Sequence, residues 1–319
     1  MLNWLKTLLG AGAMVGLLAA CGGDDDHPVT PAAPVSIAQL AQQQNLTALL
    51  AAADKAGLSA TLADASVSLT VFAPTNAAFD TLATRLGFAN ANALVAALPP
   101  AALADILSYH VLPTRQSAAQ LAAGAATRDT AYAYDGAPAR LTVSTTGGVT
   151  LTDAVLTQAR VTVADAAATN GVVHVVDKVL VPPGVLNVVQ MAQANPDFST
   201  LVGAVVTADL ATTLSGAGPF TVFAPTNQAF ADIASTVDAL STAQLRTVLT
   251  YHVLGAQVLA AQVPFGTPVA TVSGQSITLQ NNPLRLVDAT ATPAPVAATD
   301  IRASNGVIHV VTKVLIPAL

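Results

Sequence analysis

The chain has 319 residues, a net charge of -6 and only 9% charged residues, against about a quarter in ordinary globular proteins. Every acidic residue is an aspartate, and Lys and Arg form no cluster, which argues against a nucleic-acid partner. Hydrophobic residues make up 53% of the chain, much of it alanine, and beyond the N-terminus no apolar run is long enough to span a bilayer.

Residues 1–21 read as an export signal. Lys6 supplies a positive start, and Leu8–Leu18 is an apolar run too short for a mature spanning helix. It ends in Leu18-Ala19-Ala20-Cys21, which resembles the lipobox of bacterial lipoproteins, where the cysteine becomes the acylated N-terminus. That resemblance implies lipid attachment at Cys21 through more than one acyl chain, enough for stable membrane anchoring. Gly22 stands where an aspartate favours inner-membrane retention in those lipoproteins. In a Gram-negative host this points to an exported chain anchored in the outer membrane. Cys21 is the only cysteine, so the exported part folds without disulfides. Residues 22–35, with Asp24-Asp25-Asp26 and Pro28, Pro31 and Pro34, read as a flexible tether.

The tether leads into a helical stretch with an apolar stripe at Leu40, Leu46, Leu49 and Leu50, continued by Leu58 and Leu62. Leu69-Thr70-Val71-Phe72 then reads as a strand stopped by Pro74. Thr75 and Asn76 are cap-type residues opening a helix at Ala77-Ala78-Phe79. A helix over Ala101–Ser108 runs into Tyr109-His110-Val111-Leu112. Alternating runs such as Arg140–Ser144 and Val149–Thr152 read as strands. Asn170-Gly171 opens a closing strand expected over Val172–Val181, apolar on both faces and therefore suited to a sheet covered on both sides.

The chain then repeats itself. Thr221–Phe230 restates Thr70–Phe79, with Pro225, Thr226, Asn227 and Phe230 for Pro74, Thr75, Asn76 and Phe79. Tyr251-His252 restates Tyr109-His110, and Asn305–Pro317, with Gly306 and His309, restates Asn170–Pro182, with Gly171 and His174. A period this long means two domain-sized copies, each able to bury its own core. The expected division is residues 1–21 signal, 22–35 tether, 36–183 first domain and 184–319 second domain. Pro182-Pro183-Gly184 is a short junction that predicts a restricted inter-domain angle.

These three ordered motifs, present twice, resemble the first conserved motif, the Tyr-His motif and the second conserved motif of the fasciclin I domain. The resemblance implies an α+β fold: two tandem domains, each a β-sandwich or wedge of about seven strands with flanking helices. It also implies adhesion. In animal members the Tyr-His region is implicated in binding integrins, which marks Tyr109, His110, Tyr251 and His252 as candidate contact residues. The competing reading of these four is structural, with the tyrosine packed and the histidine bonded to backbone.

Four of the five histidines are motif residues, but their spacing matches no metal-ligand pattern, and no nucleophile elbow is present. No cofactor, no metal and no catalytic residue are expected, and the motif residues read as structural. The expectation is a non-enzymatic, membrane-anchored contact module whose partner is a protein, a polysaccharide or a cell surface. The alternative is a carrier of a small apolar ligand, lipid or pigment, in a cleft of the fold.

Overall fold

The computed structural model describes residues 35–281, 283–290 and 292–319. The signal, Cys21 and all but the last residue of the tether lie outside them. The first helix, α1 (Ile37–Gln43), starts on a reciprocal cap in which Ser36 and Gln39 satisfy each other's backbone N–H groups. It is followed by α2 (Thr47–Lys55) and α3 (Ser59–Ala63). Strand β1 (Leu69–Pro74) then crosses the core, and α4 (Asn76–Arg85) begins at once, its N-cap Thr75 accepting from the Ala78 N–H. Helices α5 (Ala91–Ala97) and α6 (Pro100–Tyr109) lead to the short β2 (Val111–Leu112) and then α7 (Ala118–Ala123). Strands β3 (Thr127–Tyr134), β4 (Ala137–Ser144), β5 (Thr150–Thr152), β6 (Gln158–Ala168) and β7 (Gly171–Val176) complete the first copy.

The second copy repeats this order, except that a 3-10 turn (Ala260–Gln262) stands where the first has α7. Its helices are α8 (Val188–Ala194), α9 (Ser199–Thr207), α10 (Ala211–Ser215), α11 (Asn227–Ala231), α12 (Ala234–Asp238) and α13 (Thr242–Tyr251). Its strands are β8 (Phe220–Pro225), β9 (Val253–Leu254), β10 (Pro268–Ala270), β11 (Ser276–Gln280), β12 (Arg285–Val287), β13 (Ala294–Ala303) and β14 (Gly306–Val311).

Each copy builds one seven-stranded sheet. The orders, β2-β1-β7-β6-β5-β4-β3 and β10-β11-β12-β13-β14-β8-β9, are the same topology read from opposite edges. The central pairs β1–β7 and β8–β14 are parallel, and their strands are apolar on both faces. Strands β3 and β4 alternate buried and exposed residues, as the period of the sequence requires. Register shifts in β6 and β13 let each sheet curl, and the edge strands β2 and β3 touch, so the sheet is barrel-like. Phe72, Tyr132, Leu141, Leu151 and Val176 meet inside that curl.

The closing strand is shorter than the sequence predicts. It ends at Val176 rather than Val181, because polar side chains draw the chain away from the sheet. Asp177 accepts from the Arg160 N–H (2.7 Å), and Lys178 and the Val181 N–H turn to the carboxylate of Asp153. The alternation of faces therefore holds only through Val176.

Gly171 and Gly306 start β7 and β14 where the neighbouring strand passes closest. A Cβ there would land against the carbonyl oxygen of Leu69 or Phe220, a backbone atom held by sheet pairing. Gly171→Ala is expected to lower stability by about 3 kcal/mol, since a paired strand cannot relax around the added methyl. Urea unfolding measures this, and a midpoint equal to that of the parent would contradict it.

The two copies pack together. Val155, Leu186 and Val188 join the helical layers of both copies in one apolar cluster. Across the junction Arg85 donates to the Ala194 carbonyl (2.8 Å) and Asn195 to the Val155 carbonyl (2.9 Å). Arg302 reaches the β3–β4 turn, pairing with Asp135 (3.1 Å) and lying over the Tyr134 ring.

Candidate functional site

The repeated motifs converge on the seam between sheet and helices. Pro74 and Pro225 end the central strands, and Phe79 and Phe230 plug the apolar cluster beneath them. Thr75 and Thr226 cap the following helices. Asn76 works at longer range. Its carbonyl accepts from the Ala48 N–H (2.9 Å) at the start of α2, which has no side-chain cap of its own, and its amide donates to the Asn45 carbonyl. Asn227 does the same for α9 through Thr200 and Pro196.

Asn170 is a second clamp. It accepts from the Ile37 N–H (2.9 Å) and donates to the carbonyls of Leu62 and Asp64 (3.0 Å each), fastening α1 and the end of α3 to the start of β7. Asn305 repeats this with Val188, Leu214 and Gly216. Both glycines that follow are the close-approach positions described above.

Tyr109 and Tyr251 end α6 and α13, and His110 and His252 are the C-caps. All four are 1% exposed, so the side chains offered as contact residues lie in the interior. The phenols donate to the carbonyls of Arg140 (2.9 Å) and Ser276 (3.0 Å), tying each helix end to the sheet. Burial, with the nearby Asp153 charge, pushes the Tyr109 phenol far above its ordinary value.

His110 Nδ1 lies 2.7 Å from the Ile106 carbonyl, and Nε2 lies 2.8 Å from the Leu180 N–H. A carbonyl only accepts and an amide only donates, so the ring is neutral with its proton on Nδ1. Burial holds it there, pushing its pKa down to about 4; the Ile106 bond opposes this and the Lys178 charge adds to it. His252 has the same partners in Val248 and Leu315 and is likewise pushed down to about 4 by burial.

His174 and His309 stack on Phe72 and Phe223 at 5.7 Å between ring centres. Their Nε2 atoms donate to the carbonyls of Gln116 (3.0 Å) and Val258 (2.9 Å), and their Nδ1 atoms accept from the N–H groups of Asp165 and Asp300. Both aspartates adopt positive φ, 58° and 61°, inside the bulged strands β6 and β13. All four motif histidines therefore use both ring nitrogens internally. Among the described residues no group of three or more His, Cys, Asp or Glu is placed to hold a metal ion.

Two features escaped the sequence reading. Buried Asp153 pairs with Lys178 and Asp288 with Lys313, each 25 residues apart. The signal was present: Leu-x-Asp-Ala recurs at Leu151–Ala154 and Leu286–Ala289, and the lysine recurs inside the closing motif. Burial pushes the Asp288 carboxyl up, but hydrogen bonds from Thr290, the Ile316 N–H and Lys313 outweigh it and leave it below the usual range. Thr70 and Thr221 pin the loops after β2 and β9. Their hydroxyls donate to the carbonyls of Thr114 (2.7 Å) and Ala256 (2.6 Å) and accept from the N–H groups of Gln116 and Val258. Pro113–Arg115 and Gly255–Gln257, directly after β2 and β9, are exposed.

The Fasciclin domain family matches residues 44–182 and 196–317, which contain both sets of motifs. Protein sll1483 of Synechocystis sp. is 44% identical over 139 residues, covering 42% of this chain and 75% of that protein. Transforming growth factor-beta-induced protein ig-h3 of Sus scrofa is 31% identical over 156 residues, 45% of this chain and 21% of that protein. The solved FAS1 domain pair from the insect cell adhesion molecule Fasciclin I is 18% identical with a TM-score of 0.44. That match covers 88% of this chain and 98% of the pair.

Proposed function

The chain belongs to the fasciclin domain family, and from that premise we propose that it is a non-enzymatic contact module, exported and tethered to the outer membrane through Cys21. Fasciclin domains are adhesion and binding modules. The observation that carries the reading is how the motif side chains are used. They hold helices to sheet, and they leave the pinned, exposed loops 113–115 and 255–257 as the surface presented next to each Tyr-His pair. A loop held in place before binding loses little entropy when it meets a partner. Two such loops on packed copies engage a protein, polysaccharide or cell surface together and gain avidity.

Cells lacking the protein are expected to adhere and aggregate less than cells carrying it. Arg115→Ala with Gln257→Ala is expected to weaken adhesion about tenfold, the equivalent of about 1.4 kcal/mol, without shifting the unfolding midpoint. Equal adhesion by cells with and without the protein would remove the reading's support. Cys21→Ala is expected to release the chain from the membrane fraction.

A further inference from the structure

The two copies differ in one place where the fold has room for a guest. In the first copy a cavity of about 140 Å³ lies between the helical layer and the central strands, walled by Leu49, Leu62, Leu69, Val71 and Val173, with His110 also in its lining. The corresponding space in the second copy is about 30 Å³. The sequence explains the difference. Leu69 is replaced by Phe220 and Val173 by Ile308, both packed in or against the apolar cluster. Val205, which lines the smaller space, stands for Ala53, so larger side chains surround what the first copy leaves open.

The walls of the larger cavity are almost wholly apolar, and its polar side chains are His110, Thr61 and Ser108. Both nitrogens of His110 are taken by Ile106 and Leu180, and Thr61 and Ser108 stand where it reaches solvent. A water needs two or more polar partners, which the apolar walls inside that rim do not supply, and apolar cavities of about 150 Å³ take benzene or xenon. We propose that the first domain, and not the second, holds a binding site for a small apolar molecule about the size of one aromatic ring. This site is separate from the exposed loops, and the contact reading stands or falls without it.

Benzene titrated into the exported chain, followed by methyl NMR, tests the site. The expected result is saturable binding of one molecule per chain, with shifts confined to residues around Leu69 and Val173 and none around Val222. L69F/V173I installs the residues that the second copy already accommodates, and it is expected to reduce binding at least tenfold with an unchanged or raised midpoint of thermal unfolding. Should that variant fail to fold, V173I alone decides the same question through the fall in affinity. No saturable shift in the parent chain, or undiminished binding in the filled variant, would overturn the proposal.

Discussion

Between pH 6.5 and pH 4 the folded chain is expected to lose about 6 kcal/mol of stability through two histidines, His110 and His252. Each has its folded pKa depressed from 6.5 to about 4, with burial the main cause. The unfolded chain therefore binds more protons than the folded one throughout that window, and stability falls as pH falls. The contribution is complete above pH 6.5, shrinks on acidification and is gone below about 4, amounting to about 3 kcal/mol per ring. Structurally, a proton on Nε2 displaces the N–H of Leu180 or Leu315 and puts a charge into an apolar interior. His309, also depressed by burial, acts in the same sense. The depressed Asp288 carboxyl adds its loss only below the ordinary carboxylate range. Urea unfolding at pH 7.5 and pH 4.5 reads the effect. His110→Gln removes one titrating group, so this variant starts less stable at pH 7.5 but is expected to lose about 3 kcal/mol less on acidification. An equal loss in parent and variant would refute the assignment.

Asp153→Ala is expected to destabilise the chain by about 3–5 kcal/mol. Its carboxylate is fully buried and accepts from the Thr157 N–H and hydroxyl (3.0 Å each), the Val181 N–H (3.0 Å) and Lys178. Removing it strands a mostly buried ammonium and an amide in the segment that leaves the sheet. The cost comes from the orphaned partners rather than from the pair's net worth. Asp153→Leu with Lys178→Met is therefore expected to be more stable than Asp153→Ala alone, because no charge remains to desolvate. Urea unfolding of both variants checks this, and a double variant no better than the single one would contradict the mechanism. The pair also explains where β7 stops: once Lys178 turns to Asp153, the alternation needed for a longer strand is broken.

Much of the fold is legible in the residues. Thr70–Phe79 specifies strand, turn and helix start locally, through β-branched residues, a proline and a capping threonine, and the structure places all three where the spacing puts them. The alternation of Arg140–Ser144 appears as β4 with Leu141 and Val143 buried. The helix over Ala101–Ser108 extends by one residue at each end. Features that the residues leave open depend on distant partners. Asn76 looks like a local turn residue, yet its partners are 28 and 31 residues upstream. Tyr109 and His110 admit both a contact and a structural reading in sequence, and the helix end aims them at Arg140 and Leu180, as the structural reading has it.

Local chemistry and repetition by themselves determined the two-copy plan, the α+β class and the punctuation of individual elements, because caps, prolines and side-chain periodicity act over a few residues. Tertiary structure alone decided which polar groups are buried, how the copies lock through Arg302 and Asn195, and why one copy keeps a cavity that the other fills. Those outcomes depend on close packing between segments far apart in sequence, where one ring or methyl group changes the space available.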